Sequence, residues 1–393
     1  MARKRRKKIK IKNKVIRVIS IILVIVLLAL SIIYKEQIKK YINEYLNGAV
    51  VLAEGKMSFH FMTLGNSNTG DCTYIKAGEV DILIDAGSRA NSVDDIQSYI
   101  DNYVTDGKLE YVIVTHADRD HIAGFAASNS IFDLYECKTI IDFNKTNKDN
   151  DAETYSNYIK KRDNEVKNGA THYTALECYN NQNGAKRIYE FGNSMKMEIL
   201  YNYYYENNSS DENNYSVCVL FTHGSKNFLF TGDLEKSGEQ KLVEFYGNKL
   251  PEVELYKAGH HGSPTSSIND LLSVIKPKKC VVCCCAGSTE YTKDLQNTFP
   301  SQEFINRIAP YTREIYVPLA INVKPNGEEY EEDGDYYLLH GNIIVRSKPD
   351  ALDQNQNVVV TPITVVCQNN NGVLLKDTAW FLSYRTMPDI WKN

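Results

Sequence analysis

The sequence predicts a mixed α/β fold, in which short buried strands carry polar, chemistry-bearing residues at their ends. Three runs predict it. Tyr111 to Val114 is apolar and β-branched, reads as a buried strand, and stops at Thr115; Ile122 to Phe125 then read as the first turn of a helix. Phe228 to Phe230 is a second strand, ending at Thr231-Gly232-Asp233, with a helix beginning near Leu234. The run VELYK is a third, ending at Lys257 just before His260-His261-Gly262-Ser263. Strand ends on one edge of a sheet converge although they are far apart in the chain, so these runs place their terminal residues in one neighbourhood.

The elements follow in chain order. At 393 residues, with 43% hydrophobic and 24% charged residues, the chain is long enough for a large core and for more than one domain. The first 17 residues carry ten Lys or Arg and no acid; the remainder holds 35 basic against 49 acidic residues, a net of −14. An acidic body offers no strong nucleic-acid-binding patch, because such binding rests on phosphate neutralisation. Val18 to Tyr34 is uncharged and almost wholly apolar, and with Val15 and Ile16 it approaches the ~20 residues that span a bilayer. The positive-inside rule puts residues 1–17 in the cytoplasm as a basic tail. Residues 18–34 are then a transmembrane signal anchor, and the rest of the chain is extracellular at the cell membrane. A cleaved signal peptide is the competing reading, but its apolar region is normally shorter, and no small-x-small site follows closely here. Residues 35–56 read as an amphipathic stalk, with Ile38, Tyr41, Ile42 and Tyr45 at helical spacing.

The chemistry begins with the run VDILID, a strand ending in Asp85-Ala86-Gly87. His116, Asp118, Asp120 and His121 then place four metal-capable side chains within six residues. A helix cap needs one such residue, not four, and Asp is rarely buried unless it is paired or bound to a cation. His and Asp together suit zinc, manganese or iron, and such a set can serve two adjacent ions. Asp233 follows the strand at Phe228 to Phe230; taken alone it is an N-cap. The nine Cys include the run VVCCCAG, which lacks a second cluster at zinc-site spacing and reads as a core strand. The segment from 144 to about 168 reads as a surface helix or insertion, and His172, His223 and His340 as surface residues. From Thr312 onward, runs such as EIYVPLAINV and YYLLHGNIIVRS are strands separated by turns, a β-rich extension over 312–393 that joins the second sheet or stands as a small domain.

The spacing HxDxDH at His116 to His121, followed in order by Asp233 and His260-His261-Gly262-Ser263, resembles the metallo-β-lactamase superfamily. The nearest likeness is to the metallo-hydrolase domain of ComEC-type competence proteins, which carry Leu-Lys-x-x-His-His-Gly-Ser. The resemblance implies an αββα sandwich over 57–311 and two divalent metal ions, zinc or manganese. One ion would take His116, Asp118 and Asp233; the other would take Asp120, His121, Asp233 and His261, with His260 as the alternative to His261. Asp85 matches the family's first-motif Asp, a supporting residue near the metals. Gly70-Asp71 match the end of the ComEC-type Gly-Gln-Gly-Asp turn, although the loop is longer here and the Gln is absent. The wider superfamily has a third-motif His, and His172 lies 56 residues after His116. Asn213-Asn214-Tyr215-Ser216 instead fit the ComEC pattern, which lacks that His.

The implied activity is metal-assisted hydrolysis, with Asp120 in the catalytic machinery and a phosphoester as the preferred substrate, as in a phosphodiesterase or nuclease. Hydrolysis of a lactam, lactone or thioester, and a non-catalytic binding module, are the alternatives. ComEC-type proteins attach this domain to a multi-span channel; with one predicted span, DNA transport does not carry over. Lys257, at a strand end three residues before His260, is expected to face an anionic substrate together with Ser263. Its alternative is a structural pair with Glu252 or Glu254.

Overall fold

The computed structural model describes residues 55–149, 151–323, 336–353 and 357–392. The expected basic tail, the membrane span at 18–34 and most of the stalk lie outside the described residues. Among the described residues, no helix is long and apolar enough to cross a membrane.

The first sheet starts with an antiparallel meander of β1 (Met57–Phe61), β2 (Thr73–Ala77) and β3 (Val80–Ile84). It continues in parallel through β4 (Lys108–Ile113), β5 (Glu136–Asp142) and β6 (Thr171–Thr174). Parallel neighbours need a crossover, usually helical. Here α1 (Ser92–Ile100) joins β3 to β4, α2 (Arg119–Ala126) and α3 (Ile131–Leu134) join β4 to β5, and α4 (Glu153–Lys167) joins β5 to β6. The polar segment after residue 144 is therefore largely the helix α4. One residue of α4, Tyr158, is buried. Because β3 and β4 run parallel, Asp85 and the His116–His121 loop leave the sheet at the same edge.

After α5 (Ala175–Asn180), the second sheet is built the same way. β7 (Ile188–Glu190), β8 (Met195–Ile199), β9 (Val219–His223) and β10 (Lys226–Phe230) are antiparallel. β10 then pairs in parallel with β11 (Leu255–Lys257), and β11 with β12 (Lys279–Val281). The crossovers are α6 (Lys236–Tyr246) and α7 (Asn269–Ile275). Parallel β10 and β11 bring Asp233 and His260-His261 to one edge, as β3 and β4 do for their loops.

Period-two alternation decides which residues meet between the sheets. Phe59 of β1 stacks on Phe228 of β10, with ring centroids 4.4 Å apart, and meets Phe221 of β9 edge-on at 5.5 Å. The sheets therefore pack face to face. Leu229, Tyr256 and Cys280 point the other way, into a second apolar cluster with Leu242 of α6, Leu271 and Leu272 of α7, and Phe304 of α8 (Gln302–Ile308). All nine Cys are buried and none is in a disulfide, so the Cys run is core.

The chain beyond Thr312 differs from the expectation of an addition to the second sheet or a separate domain. After β13 (Cys285–Ala286), β14 (Ile315–Tyr316) does extend the second sheet, beside β12. β15 (Leu319–Ile321) and β16 (Tyr336–Leu338) form a small sheet with β13. β17 (Ile343–Ser347) crosses to the first sheet and pairs with β1. β18 (Ala351–Leu352) and β19 (Val358–Val359) form a hairpin, and β20 (Thr364–Cys367) then pairs with β17. α9 (Ala379–Tyr384) buries Trp380 and Phe381.

This covering layer corrects two histidines read as surface residues. His223 is fully buried, with Nδ1 3.0 Å from Ser347 Oγ of β17. His340 is buried too; its Nδ1 accepts from the Val317 N–H at 3.0 Å and its Nε2 donates to the Val373 carbonyl at 3.0 Å. His172 is half-buried in β6 and binds Asp142 Oδ1 at 2.8 Å.

Candidate metal centre

The backbone first ties the loops together. The Asp71 N–H donates to the Asp120 carbonyl at 3.1 Å, the Gly87 N–H to the Asp71 carbonyl at 2.9 Å, and the Ala86 N–H to the His121 carbonyl at 2.9 Å. Gly87 is required here, because a Cβ would lie 1.9 Å from the Asp120 carbonyl oxygen. Asp85 takes the left-handed conformation, φ 57°, which Asp tolerates better than most residues. Its Oδ1 accepts from the Thr115 N–H at 2.8 Å, and its Oδ2 from Thr115 Oγ1 at 2.7 Å and from His121 Nδ1 at 2.8 Å. Asp85 therefore holds His121 in one tautomer and turns its Nε2 inward. That is the supporting role that carboxylates take behind metal-binding imidazoles.

His261, at φ 51°, is set in the same way: its Nδ1 donates to the Cys283 carbonyl at 2.8 Å. Its Nε2 stands 3.0 Å from Asp233 Oδ2 and 3.3 Å from Asp120 Oδ2, and makes no aligned hydrogen bond. His121 Nε2 lies 3.1 Å from the same Asp233 oxygen. Asp120, His121, Asp233 and His261 thus each offer an atom within 4.8 Å of the others. With the ring neutral, its lone pair faces two carboxylate oxygens, a repulsive arrangement that either a proton or a metal cation relieves. Two imidazoles and two carboxylates suit zinc or manganese.

The other expected residues are placed differently. His116 is buried beside His121, ring centroids 4.1 Å apart, and its Nε2 has no hydrogen bond. Asp118 turns outward; its Oδ1 is 2.5 Å from Lys148 Nζ, and its Oδ2 is 3.6 Å from His116 Nε2. Neither belongs to the four-residue group. His260 also stands outside that group, with Nδ1 2.7 Å from Glu235 Oε1. Lys257 does not face substrate space. It is 2% exposed, forms a close ion pair with Asp71, and has its Nζ 3.5 Å from Asp233 Oδ1. The alternative partners are taken: Glu252 pairs with Lys276 and Glu254 with Lys278. Ser263 is buried within its own turn, 2.7 Å from Thr265 Oγ1. For Lys257 the cause is that β11 is buried on both faces, so the residue at its end is buried with it, paired with Asp71 and Asp233.

Above the group opens a cleft of about 350 Å³, lined by Arg89, Arg119, Lys148, Asn213, His260 and Tyr291 among others. Tyr291 OH donates to Asp120 Oδ2 at 3.3 Å, and Arg89 pairs closely with Glu290. Arg119 is exposed at the rim.

Residues 66–135 and 211–286 match the family described as the metallo-beta-lactamase superfamily. The first segment holds Asp71, Asp85 and His116 to His121; the second holds Asp233 and Lys257 to Ser263. Over these two segments the chain is similar to the metallo-β-lactamase superfamily. Its curated relatives include ComE operon protein 3 of Bacillus subtilis (strain 168), 33% identical over 73 residues, which are 19% of this chain and 9% of that protein. Competence protein ComA of Neisseria gonorrhoeae is 38% identical over 76 residues, 19% of this chain and 11% of that one. The matches thus span about a tenth of these relatives' length. Among solved structures, the metallo-beta-lactamase fold protein YhfI from Bacillus subtilis is 11% identical, with a TM-score of 0.39, over 72% of this chain and 99% of that one.

Within the matched segments, the residue that sequence reasoning left out is Asp71. It is buried, pairs with Lys257, and has Oδ1 3.3 Å from His261 Nδ1. The Gly70-Asp71 match was its one signal. Charge coupling through this centre is strong. Burial lowers the pKa of His121 and His261, but Asp233, with Asp85 for the one and Asp71 for the other, carries both well above the ordinary imidazole value. A raised imidazole pKa stabilises the metal-free fold below the unfolded value of about 6.5, and that contribution is lost as pH rises through the folded value. A divalent ion needs the same lone pairs, so it competes with these protons and binds better as pH rises. The increase in melting temperature on adding zinc or manganese is therefore expected to be larger at pH 8.5 than at pH 6. An increment independent of pH would show that the two imidazoles are not ligands.

Proposed function

We propose that this chain is a membrane-anchored, metal-dependent hydrolase acting on a phosphoester outside the cell. The observation that carries the reading is the pair of inward-turned Nε2 atoms of His121 and His261, meeting on Asp233 beneath a cleft that Arg89, Arg119 and Lys148 line together with Asp118, Asp120, Asp233 and Glu290. Asp120, His121, Asp233 and His261 would hold one divalent ion, and His116 and Asp118, sharing Asp233, a second. When bound, such ions lower the pKa of water and stabilise developing negative charge. The chain's own residues supply the rest. Asp85 and the Cys283 carbonyl fix the two tautomers. Arg119, exposed at the rim, attracts the substrate anion, and Tyr291 OH offers a hydrogen bond beside Asp120. His260, held by Glu235 at the cleft wall, carries a proton for the leaving oxygen: burial lowers its pKa, but Glu235 raises it overall. The basic tail and apolar segment at 1–34 support anchoring with the domain outside.

One experiment tests both parts. Intact cells producing the chain are expected to hydrolyse a phosphodiester added to the medium, to stop when a chelator is added, and to lose the activity after external protease. Activity seen only after lysis would overturn the topology. Hydrolysis confined to a lactam, lactone or thioester would overturn the phosphoester assignment, and no hydrolysis of any of them would favour a binding module.

A further inference from the structure

The two halves of the centre differ in one respect that the ligand types do not show. Around Asp120, His121, Asp233 and His261, the nearest ammonium is that of Lys257, buried beneath the carboxylates. Around His116 and Asp118 an ammonium stands on the open side: Lys148 Nζ is 2.5 Å from Asp118 Oδ1 and lines the cleft. Lys148 comes from the connection between β5 and α4, and Asp118 from the loop after β4. Their meeting is built by a third residue. Glu212 is buried; its Oε1 accepts from the Ala117 N–H at 3.3 Å and its Oε2 from the Asn147 N–H at 2.6 Å. One carboxylate thus fixes the backbone next to Asp118 and the backbone next to Lys148. Asn144 Nδ2 donates to the Tyr205 carbonyl at 2.6 Å and Asn147 Nδ2 to the Ser209 carbonyl at 3.0 Å, which pins the same connection at two further points. Beside the pair, His116 Nε2 is buried, has no hydrogen bond, and stands 3.6 Å from the free Asp118 oxygen.

We propose that Lys148 is a tethered cation that competes with the metal for Asp118, so that the centre binds its two ions unequally. The first ion goes to Asp120, His121, Asp233 and His261. The second, at His116 and Asp118, must displace the Lys148 ammonium before Asp118 can serve as a ligand. His116 Nε2 is then the donor that waits for it. In this arrangement the centre works with one ion at low metal concentration, and Lys148 sets the concentration at which it takes a second. The inference rests on the metal-centre reading above, and its readout, metal bound per chain, is independent of hydrolysis.

The test is equilibrium dialysis of the full chain in detergent, stripped of metal, against increasing manganese chloride. The wild type is expected to bind two ions in separate steps. Lys148→Ala should tighten the second step about three- to fivefold, the worth of releasing Asp118 from one partly exposed ion pair, and leave the first unchanged. Lys148→Arg should keep the wild-type gap, and Asp118→Asn should abolish only the second step. Two equal steps in the wild type, or a second step unmoved by Lys148→Ala, would overturn the competition. A single ion in both the wild type and Lys148→Ala would overturn the second site altogether. No manganese bound in any variant would overturn the metal-centre reading and this inference with it.

Discussion

Asp233→Asn is expected to empty the metal centre while leaving the chain folded. Asp233 Oδ2 is the atom on which His121 Nε2 and His261 Nε2 converge, at 3.1 and 3.0 Å. The amide removes the negative charge and, in one orientation, points N–H groups at two lone pairs. Metal affinity should fall at least about a hundredfold, roughly 3 kcal/mol, and hydrolysis with it. The fold should persist, because Lys257 keeps its pair with Asp71. Metal content after dialysis, read beside a thermal melt, checks this. Full metal content in the variant would leave Asp233 with no role in binding. A capping role is not available to it either, since Glu235 occupies the N-cap position of α6.

Lys257→Met is expected to act on stability rather than on substrate. The ammonium is buried between Asp71 and Asp233, and its loss leaves two buried carboxylates facing two imidazoles. Removing one partner of a buried pair typically costs about 3–5 kcal/mol, here read in the metal-free protein as a lower denaturant midpoint. Adding a divalent ion should restore part of that loss, because the ion supplies positive charge to the same carboxylates and binds only the folded chain. A change below about 1 kcal/mol, the range of exposed pairs, would mean that Lys257 is not the structural counter-charge.

Much of the centre was legible because it breaks a rule of composition. Asp85, His116, Asp120, His121, Asp233 and His261 are polar residues at the ends of apolar runs, and such residues are seldom buried without a charge or an ion to satisfy them. What was illegible depends on partners far along the chain. Lys257 ends a strand buried on both faces, so period-two reasoning could not assign the side on which its ammonium lies. Asp71 sits in a polar Gly-Asn-Ser loop, where an Asp is ordinary; its place comes from hydrogen bonds to Gly87 and Asp120. Tyr291 and Glu290 reach the cleft from a segment with no periodic signal. Lys148 is one charge among many in a hydrophilic connection. His223 and His340 looked like surface residues because each stands alone in sequence, and a sequence pattern does not show what will be laid over it. The strand at Ile343 to Ser347 was visible as a strand, but periodicity reports that a segment is extended, not which neighbour it joins.

That last strand carries a consequence for how the protein is made. Met57 faces Ser347 in the register of β1 with β17, so the first strand of the domain must wait for almost the last part of the chain to be synthesised before its outer edge is paired. Every candidate ligand leaves the ribosome well before that strand does. A nascent chain can hold the whole metal-binding set and still present the bare edge of β1, a template for pairing with another molecule. Contacts between such distant parts of a chain also form late. The interval between translation of His261 and of Ile343 is therefore when a chaperone has most to protect, and a chain cut before Ile343 would keep that edge exposed for good.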